Sequence, residues 1–180
     1  MKDLQPVIFL VPLIVLSVVG LLYFISVKKA TDKKAFNKFI FTVIVFAFLV
    51  NFTWELIQLP LYKNPVYDME HIAFCALASL ADVLMVLLLY LALAFIFKNI
   101  FWMQHPKWPQ VIFLIVIGGA GAVLSELRHL SLGTWEYKYS MPLIPVINVG
   151  ISPVIQFMVL PLLIYLISAY RVKKSPKNIH

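Results

Sequence analysis

Hydrophobic positions along this chain come in continuous runs of about 20 residues, each bounded by short stretches rich in Lys, Asp, Asn or Pro. Runs of that length suit a bilayer crossing, and backbone groups in hydrocarbon must pair within the chain, which leaves helices or a closed barrel. The runs do not alternate with polar residues, so they predict helices. They place five transmembrane helices at 6–27, 39–59, 72–97, 111–130 and 153–170, an all-α polytopic bundle forming one integral membrane domain over residues 1–180. The stretch before the last helix is apolar but broken by Pro142, Pro145 and Gly150, and is expected to be a short re-entrant or interfacial segment. Ser152 is expected to cap the last helix with Pro153 at its first position, and Pro161 to kink it.

Composition agrees with this pattern. The 180 residues are 62% hydrophobic and 13% charged, with a mean hydropathy of +0.93, too apolar for a soluble domain of this length. The net charge of +7 does not indicate nucleic acid, because the basic residues flank apolar runs as topology signals do. Eleven of the fifteen fall in the loop 28–38 (Lys28, Lys29, Lys33, Lys34, Lys38), the third loop (Lys98, Lys107) and the tail 171–180 (Arg171, Lys173, Lys174, Lys177). Only Lys2, Lys63, Arg128 and Lys138 lie opposite. The positive-inside rule then puts loop 28–38, the third loop and the tail in the cytoplasm and the N-terminus outside. Trp102, Trp108, Trp135, Tyr62 and Tyr67 sit at span ends, as an aromatic belt requires. The first run has no small-x-small cleavage site and is read as a mature helix. The single cysteine, Cys75, excludes an intrachain disulfide and a multi-Cys metal site.

Carboxylates are the exceptions inside these runs. One at the centre of a spanning helix costs about 2.5–3.5 kcal/mol on insertion scales, so each is a candidate for function. Glu55, Asp82 and Glu126 need an account. Asn51, Glu55 and Gln58 recur at helical spacing, forming one stripe of the second helix that ends at Tyr62. His71, Cys75, Ser79 and Asp82 form a stripe on the third, with the aspartate about 16 Å deeper than the histidine. Gly119, Ala122, Glu126 and His129 form one on the fourth, where small residues permit close helix contact. By alternation of the spans, all three stripes enter the outer half of the membrane, at the level of Trp135, Tyr137 and Gln156. Singly, Asn51, Ser79 and Gln58 read as interhelical glue worth about 0.6–2 kcal/mol apiece. Three carboxyls together read as a site, since Ser or Asn would hold helices together at lower cost. No Lys or Arg lies at the depth of Asp82, so the neutral acid, a proton donor, is the expected form. His129 shares the face of Glu126 and is placed to exchange a proton with it.

Glu126-x-x-His129 matches half of the paired motif of carboxylate-bridged di-iron bundles, but no second Glu-x-x-His exists. No metal and no cofactor are expected, the weaker alternative being one ion held by His71, His129 and a carboxylate. The glycines at 118, 119 and 121 follow no strand and lack a Lys-Ser/Thr partner, so they read as packing positions rather than a phosphate loop.

Three patterns carry resemblances. Asn51-Phe-Thr-Trp-Glu-Leu-Ile-Gln-Leu-Pro-Leu-Tyr62, Ser79-Leu-Ala-Asp82, Ser125-Glu126, Trp135-Glu-Tyr137, Met141-Pro142 and Ser152-Pro-Val-Ile-Gln156 together resemble a family of small bacterial multi-pass membrane proteins, over roughly residues 51–162. That resemblance implies a bacterial inner membrane but no reaction. More distantly, an acid ending a helix, then Gly-x-Trp-x-Tyr, then a Pro-containing segment resembles the membrane carotenoid cyclases and hydratases. The positions here are Glu126, Gly133, Trp135, Tyr137 and Pro142, with Pro153-Val-Ile-Gln156 replacing the Pro-x-Glu-Glu of the cyclases. Glu55-Leu-Ile-Gln-Leu-Pro60 is similar to a segment of the family that includes sterol isomerases and the sigma-2 receptor. These resemblances imply membrane-embedded acids that move protons on polyprenoid or sterol double bonds.

The expectation is therefore an enzyme acting on an isoprenoid or other lipid by cyclisation, hydration or isomerisation. Glu126 and Asp82 would be acid and base, with Glu55 as a third carboxyl. Asn51, Gln58, His71, His129, Gln156, Trp135 and Tyr137 would bind substrate, the two aromatic residues facing a cationic intermediate. A small proton-coupled transporter and a non-catalytic assembly partner are the alternatives, and a homo-oligomer is left open.

Overall fold

The structure is a computed structural model and describes residues 7–63 and 65–173. Lys2, Lys174, Lys177 and the outer ends of the first span and of the tail lie outside the described residues. Five helices, α1 (Val7–Lys29), α2 (Lys33–Gln58), α3 (Met69–Ile96), α4 (Trp108–Ser131) and α5 (Ile151–Lys173), make up nearly all of the fold. Each is long and apolar enough to cross a membrane, and the chain is a multi-pass membrane protein.

The helices start and stop for local reasons. Asp32 caps α2, its side chain accepting the Ala35 N–H at 2.8 Å, so the loop expected over 28–38 shrinks to residues 30–32. The lysines there extend the helix ends instead of ending them, which long, snorkelling side chains permit. Asp68 caps α3 by accepting the His71 N–H at 2.8 Å. At the end of α4, Gly133 takes a positive φ of 64°, the Gly133 N–H reaches Leu130 O and the Thr134 N–H reaches His129 O, both at 3.1 Å. This left-handed stop turns the chain back over the helix end, and it carries Trp135 and Tyr137 with it.

The structure refines the approach to the last helix and corrects its cap. The segment before α5, expected to be broken by its prolines and glycine, is a small hairpin in which β1 (Leu143–Ile144) pairs antiparallel with β2 (Val149–Gly150). Its turn places Val146 and Asn148 at positive φ. Ser152 is not the cap of α5, because the helix already begins at Ile151; its hydroxyl bonds to the Gln58 side chain instead. The helix runs without interruption through Pro161.

α2 packs against α3 and α5, and α5 against α4, while α3 and α4 meet more sparsely. These four form a ring, with α1 added against α3. Gly118 brings α4 against α5 so closely that a Cβ there would lie 2.3 Å from the Phe157 carbonyl oxygen. The largest core lies at the end of the ring formed by the C-termini of α3 and α5, around Phe36, Phe39, Tyr90, Trp102 and Tyr165. The polar residues gather at the other end.

Candidate functional site

The ring turns one polar residue from each helix toward its interior: Glu55 from α2, Asp82 from α3, Glu126 from α4 and Gln156 from α5. Gln156 is the centre, and its side chain is only 1% exposed. Its amide nitrogen lies 2.9 Å from Asn51 Oδ1, 3.2 Å from Asp82 Oδ2 and 3.3 Å from Glu55 Oε1. Its amide oxygen accepts from Gln58 Nε2 at 3.4 Å, and the same Gln58 nitrogen donates to Glu55 Oε1 at 2.8 Å. Asn51 is anchored by its own amide, which donates to the Ala47 carbonyl at 2.8 Å.

This network is short of hydrogen. An amide nitrogen carries two N–H bonds, yet three acceptors surround that of Gln156. One of the three contacts therefore carries no hydrogen, and since an amide nitrogen cannot accept one, a carboxyl O–H could relieve the crowding only by donating to another acceptor. None of the three carboxyls has a Lys or Arg partner among the described residues. An unpaired carboxylate in such surroundings is costly, and a neutral carboxylic acid within the network lowers that cost.

Glu126 forms the second part of the site. Its Oε2 accepts from the Trp135 indole at 3.2 Å and from the Tyr137 hydroxyl. Gly150 stands behind the Tyr137 ring, 3.1 Å from it at the position of an added Cβ. Tyr62, from just past the end of α2, packs on this part: its ring lies 6.2 Å from that of Trp135 and 5.6 Å from that of Tyr137. Burial, and after it the charges of Glu126, Glu55, Tyr137 and Asp82, hold the Tyr62 phenol well above its ordinary value. Tyr137 is raised too, by burial first and by its bond to Glu126 second. Both phenols therefore stay hydrogen-bond donors at neutral pH.

Above the site the chain is stitched shut. Tyr62 and Tyr137 face each other across an antiparallel bridge, with the Lys63 N–H on Glu136 O and the Lys138 N–H on Leu61 O, both at 2.9 Å. An exposed Lys63–Glu136 ion pair lies beside them.

Of the residues expected at a site, Asn51, Glu55, Gln58, Asp82 and Gln156 are brought into one network, and Glu126, Trp135 and Tyr137 into the adjoining one. His71 is not brought in, since its backbone and its ring both engage Asp68 at the cap of α3. His129 stacks on Trp135 with ring centres 4.1 Å apart, and its Nδ1 has no hydrogen-bond partner among the described residues. It adjoins Glu126 through the indole. Among the described residues, no three His, Cys, Asp or Glu side chains are placed to hold one metal ion. Three members of the site escape the sequence reading. Ser152 donates to Gln58 Oε1 at 2.8 Å and Trp54 to the same oxygen at 3.2 Å; Tyr62 completes the set. Helical spacing holds a signal for all three, Trp54 and Tyr62 each being one turn from Gln58 and Ser152 one turn from Gln156. Comparison with protein families, with curated proteins and with solved structures finds no match to this chain.

Proposed function

We propose that this chain is a cofactor-independent membrane enzyme that moves protons on an isoprenoid or other lipid double bond. The observation that carries the reading is the hydrogen-short network around Gln156, which joins carboxyls of α2 and α3 without a Lys or Arg partner. In the proposed reaction a carboxylic acid, Asp82 or Glu126, gives its proton to one carbon of a C=C bond and becomes a carboxylate. The second carboxyl then takes a proton from a neighbouring carbon in isomerisation or cyclisation, or from an added water in hydration, so the proton count is conserved. Glu55, Asn51, Gln58 and Gln156 hold the acids in place, and the rings of Tyr62, Trp135 and Tyr137 face the transient cation. By the distribution of lysines this site faces the outer half of a bacterial inner membrane, with the C-terminus in the cytoplasm.

The test compares whole-lipid mass spectra of cells lacking the protein, expressing it, and expressing Glu126→Gln at equal membrane abundance. A lipid product that appears with the natural chain and disappears with the variant is the expected result. Identical profiles, in a host making isoprenoid precursors, would turn the reading to a proton-coupled carrier.

A further inference from the structure

The water side of the site and its lipid side are built differently. Toward water, residues 61–63 and 136–138 pair backbone to backbone over the carboxyls. Toward lipid, the seam between α3 and α4 is closed at one level and open at the next. It is closed at Gly118, where an added Cβ would lie 3.5 Å from the Leu89 side chain of α3 and against the backbone of α5. One turn nearer the site, at Gly121, an added Cβ would meet nothing within 4 Å, and beyond it Ser125 is exposed. On α3 the residue two turns from Leu89 on the same face is Asp82. Asp82 is half-buried although it is mid-helix; Ala78 beyond it is half-buried, and Ala81 and Phe74 at the flank are exposed.

We infer that the substrate reaches Asp82 sideways from the bilayer, through the open part of the seam between α3 and α4, as a membrane-resident lipid whose hydrocarbon chain lies along Ala78, Gly121 and Ser125. This rests on the proposed function for what happens at the carboxyls, but it concerns the route alone. An aqueous substrate would have to part the paired segments over the site. A lipid needs no such opening, and the small side chains at 78 and 121 leave width for a chain rather than for a polar headgroup. The polar end of the lipid is then the end nearer Tyr62 and Tyr137.

The experiment uses the full chain in phosphatidylcholine liposomes at about pH 5, where carboxyls retain enough acid form to react. The liposomes are treated with either dicyclohexylcarbodiimide, which partitions into lipid, or a charged water-soluble carbodiimide. The carboxyl O–H adds across one C=N bond, oxygen to the central carbon and proton to nitrogen, so the adduct is read as added mass on the Asp82 peptide. The lipid-soluble reagent is expected to label Asp82 and the water-soluble one to leave it unmodified. Asp82→Asn abolishes the label. Gly121→Phe, filling the opening from α4, lowers the labelling rate on the order of tenfold by raising the barrier to access, and Ala78→Leu, filling it from α3, lowers it in the same direction. Gly20→Phe, on α1 in equally open space, leaves labelling unchanged. Equal labelling by the water-soluble reagent, no labelling by the lipid-soluble one, or unchanged labelling in both filled variants would each overturn the lateral route. Because labelling needs no turnover, these outcomes are separate from failure of the proposed chemistry, which the lipid profiles report.

Discussion

The two ends of the helix ring are assembled from similar materials with opposite results. At the end formed by the C-termini of α3 and α5, Tyr90, Trp102 and Tyr165 are essentially unexposed and meet ring to ring at 5.1–6.3 Å. The two tyrosine hydroxyls go to backbone carbonyls: Tyr90 to Ile100 O and Tyr165 to Val86 O, both at 2.6 Å. At the site end the hydroxyls, amides and carboxyls bond mostly to one another. A side chain tied to a backbone carbonyl is fixed by the fold and has one arrangement. Side chains tied to each other, with one hydrogen too few, keep an arrangement that depends on where a proton is. The first end supplies rigidity, and the second has the freedom that acid–base chemistry uses.

The largest effect should therefore come from the end without chemistry. Trp102→Ala removes the indole at the centre of the aromatic contacts and is expected to cost about 3–5 kcal/mol, through lost packing and the cavity left behind. Thermal unfolding in detergent checks it, with any lipid product found by the test of the proposed function as a second readout. Product per folded molecule should hardly change, since Trp102 touches none of the site residues. A variant that stays stable yet loses product would erase the division of labour between the ends.

Next comes the centre of the site. Gln156→Leu keeps the volume but leaves Asn51, Glu55 and Asp82 without their shared donor. The expected loss is about 1–3 kcal/mol, as for other buried acceptors deprived of a partner. Gln156→Glu adds a third carboxyl beside Glu55 and Asp82 and should lower stability more at high pH than at low pH. Equal stability of Gln156→Leu and the natural chain would mean that the network holds nothing together, and the site end would then be no different from lipid-facing surface.

A third contrast lies within α4. Gly118→Ala puts a methyl group against the Phe157 carbonyl and should cost about 1–3 kcal/mol as α4 and α5 move apart. Gly121→Ala, one turn away in open space, should be neutral or stabilising by about 0.5–1 kcal/mol. If both changes have the same effect, the seam is uniform and its open part is not distinct from its closed part.

Much of this is legible in the sequence because the bilayer restricts the choices. Five long apolar runs have few folds available, and carboxyls within them must face protein, so the stripes of Glu55, Asp82 and Glu126 have to point inward. Helical spacing identifies the face of each helix, though not the order of helices around the ring. The centrality of Gln156 depends on α5 lying between α2 and α4, which no residue pattern announces. The hairpin over 143–150 escapes a reading by hydropathy because its apolar residues hold no strand period, and the packing of Gly150 against the Tyr137 ring has no local signal. Period alone places His71 on the Asp82 stripe, but a capping aspartate three residues earlier takes both its backbone and ring nitrogens. The end of α2 is easier to locate than its start, where lysines compatible with either loop or helix continue the helix to Asp32.

That capping contact carries the smallest effect and tests whether His71 is structural. By accepting the His71 backbone N–H first, and its ring nitrogen second, the Asp68 carboxyl is held below the ordinary aspartate value of 3.8. A carboxyl whose folded value is depressed contributes stability that is present above the ordinary value and is lost as pH falls from there through the lowered one. The Asp68–His71 pair is exposed, so solvent screening keeps the contribution small. Asp68→Asn retains an amide oxygen able to cap the helix and has nothing to titrate. Unfolding temperatures of the two proteins, followed from about pH 6 down to about pH 2, should differ in favour of aspartate at the upper end and converge at the lower. A parallel pair of curves would show that the carboxylate gives α3 nothing beyond what an amide gives, leaving His71 free to be assigned to the site instead of to the cap.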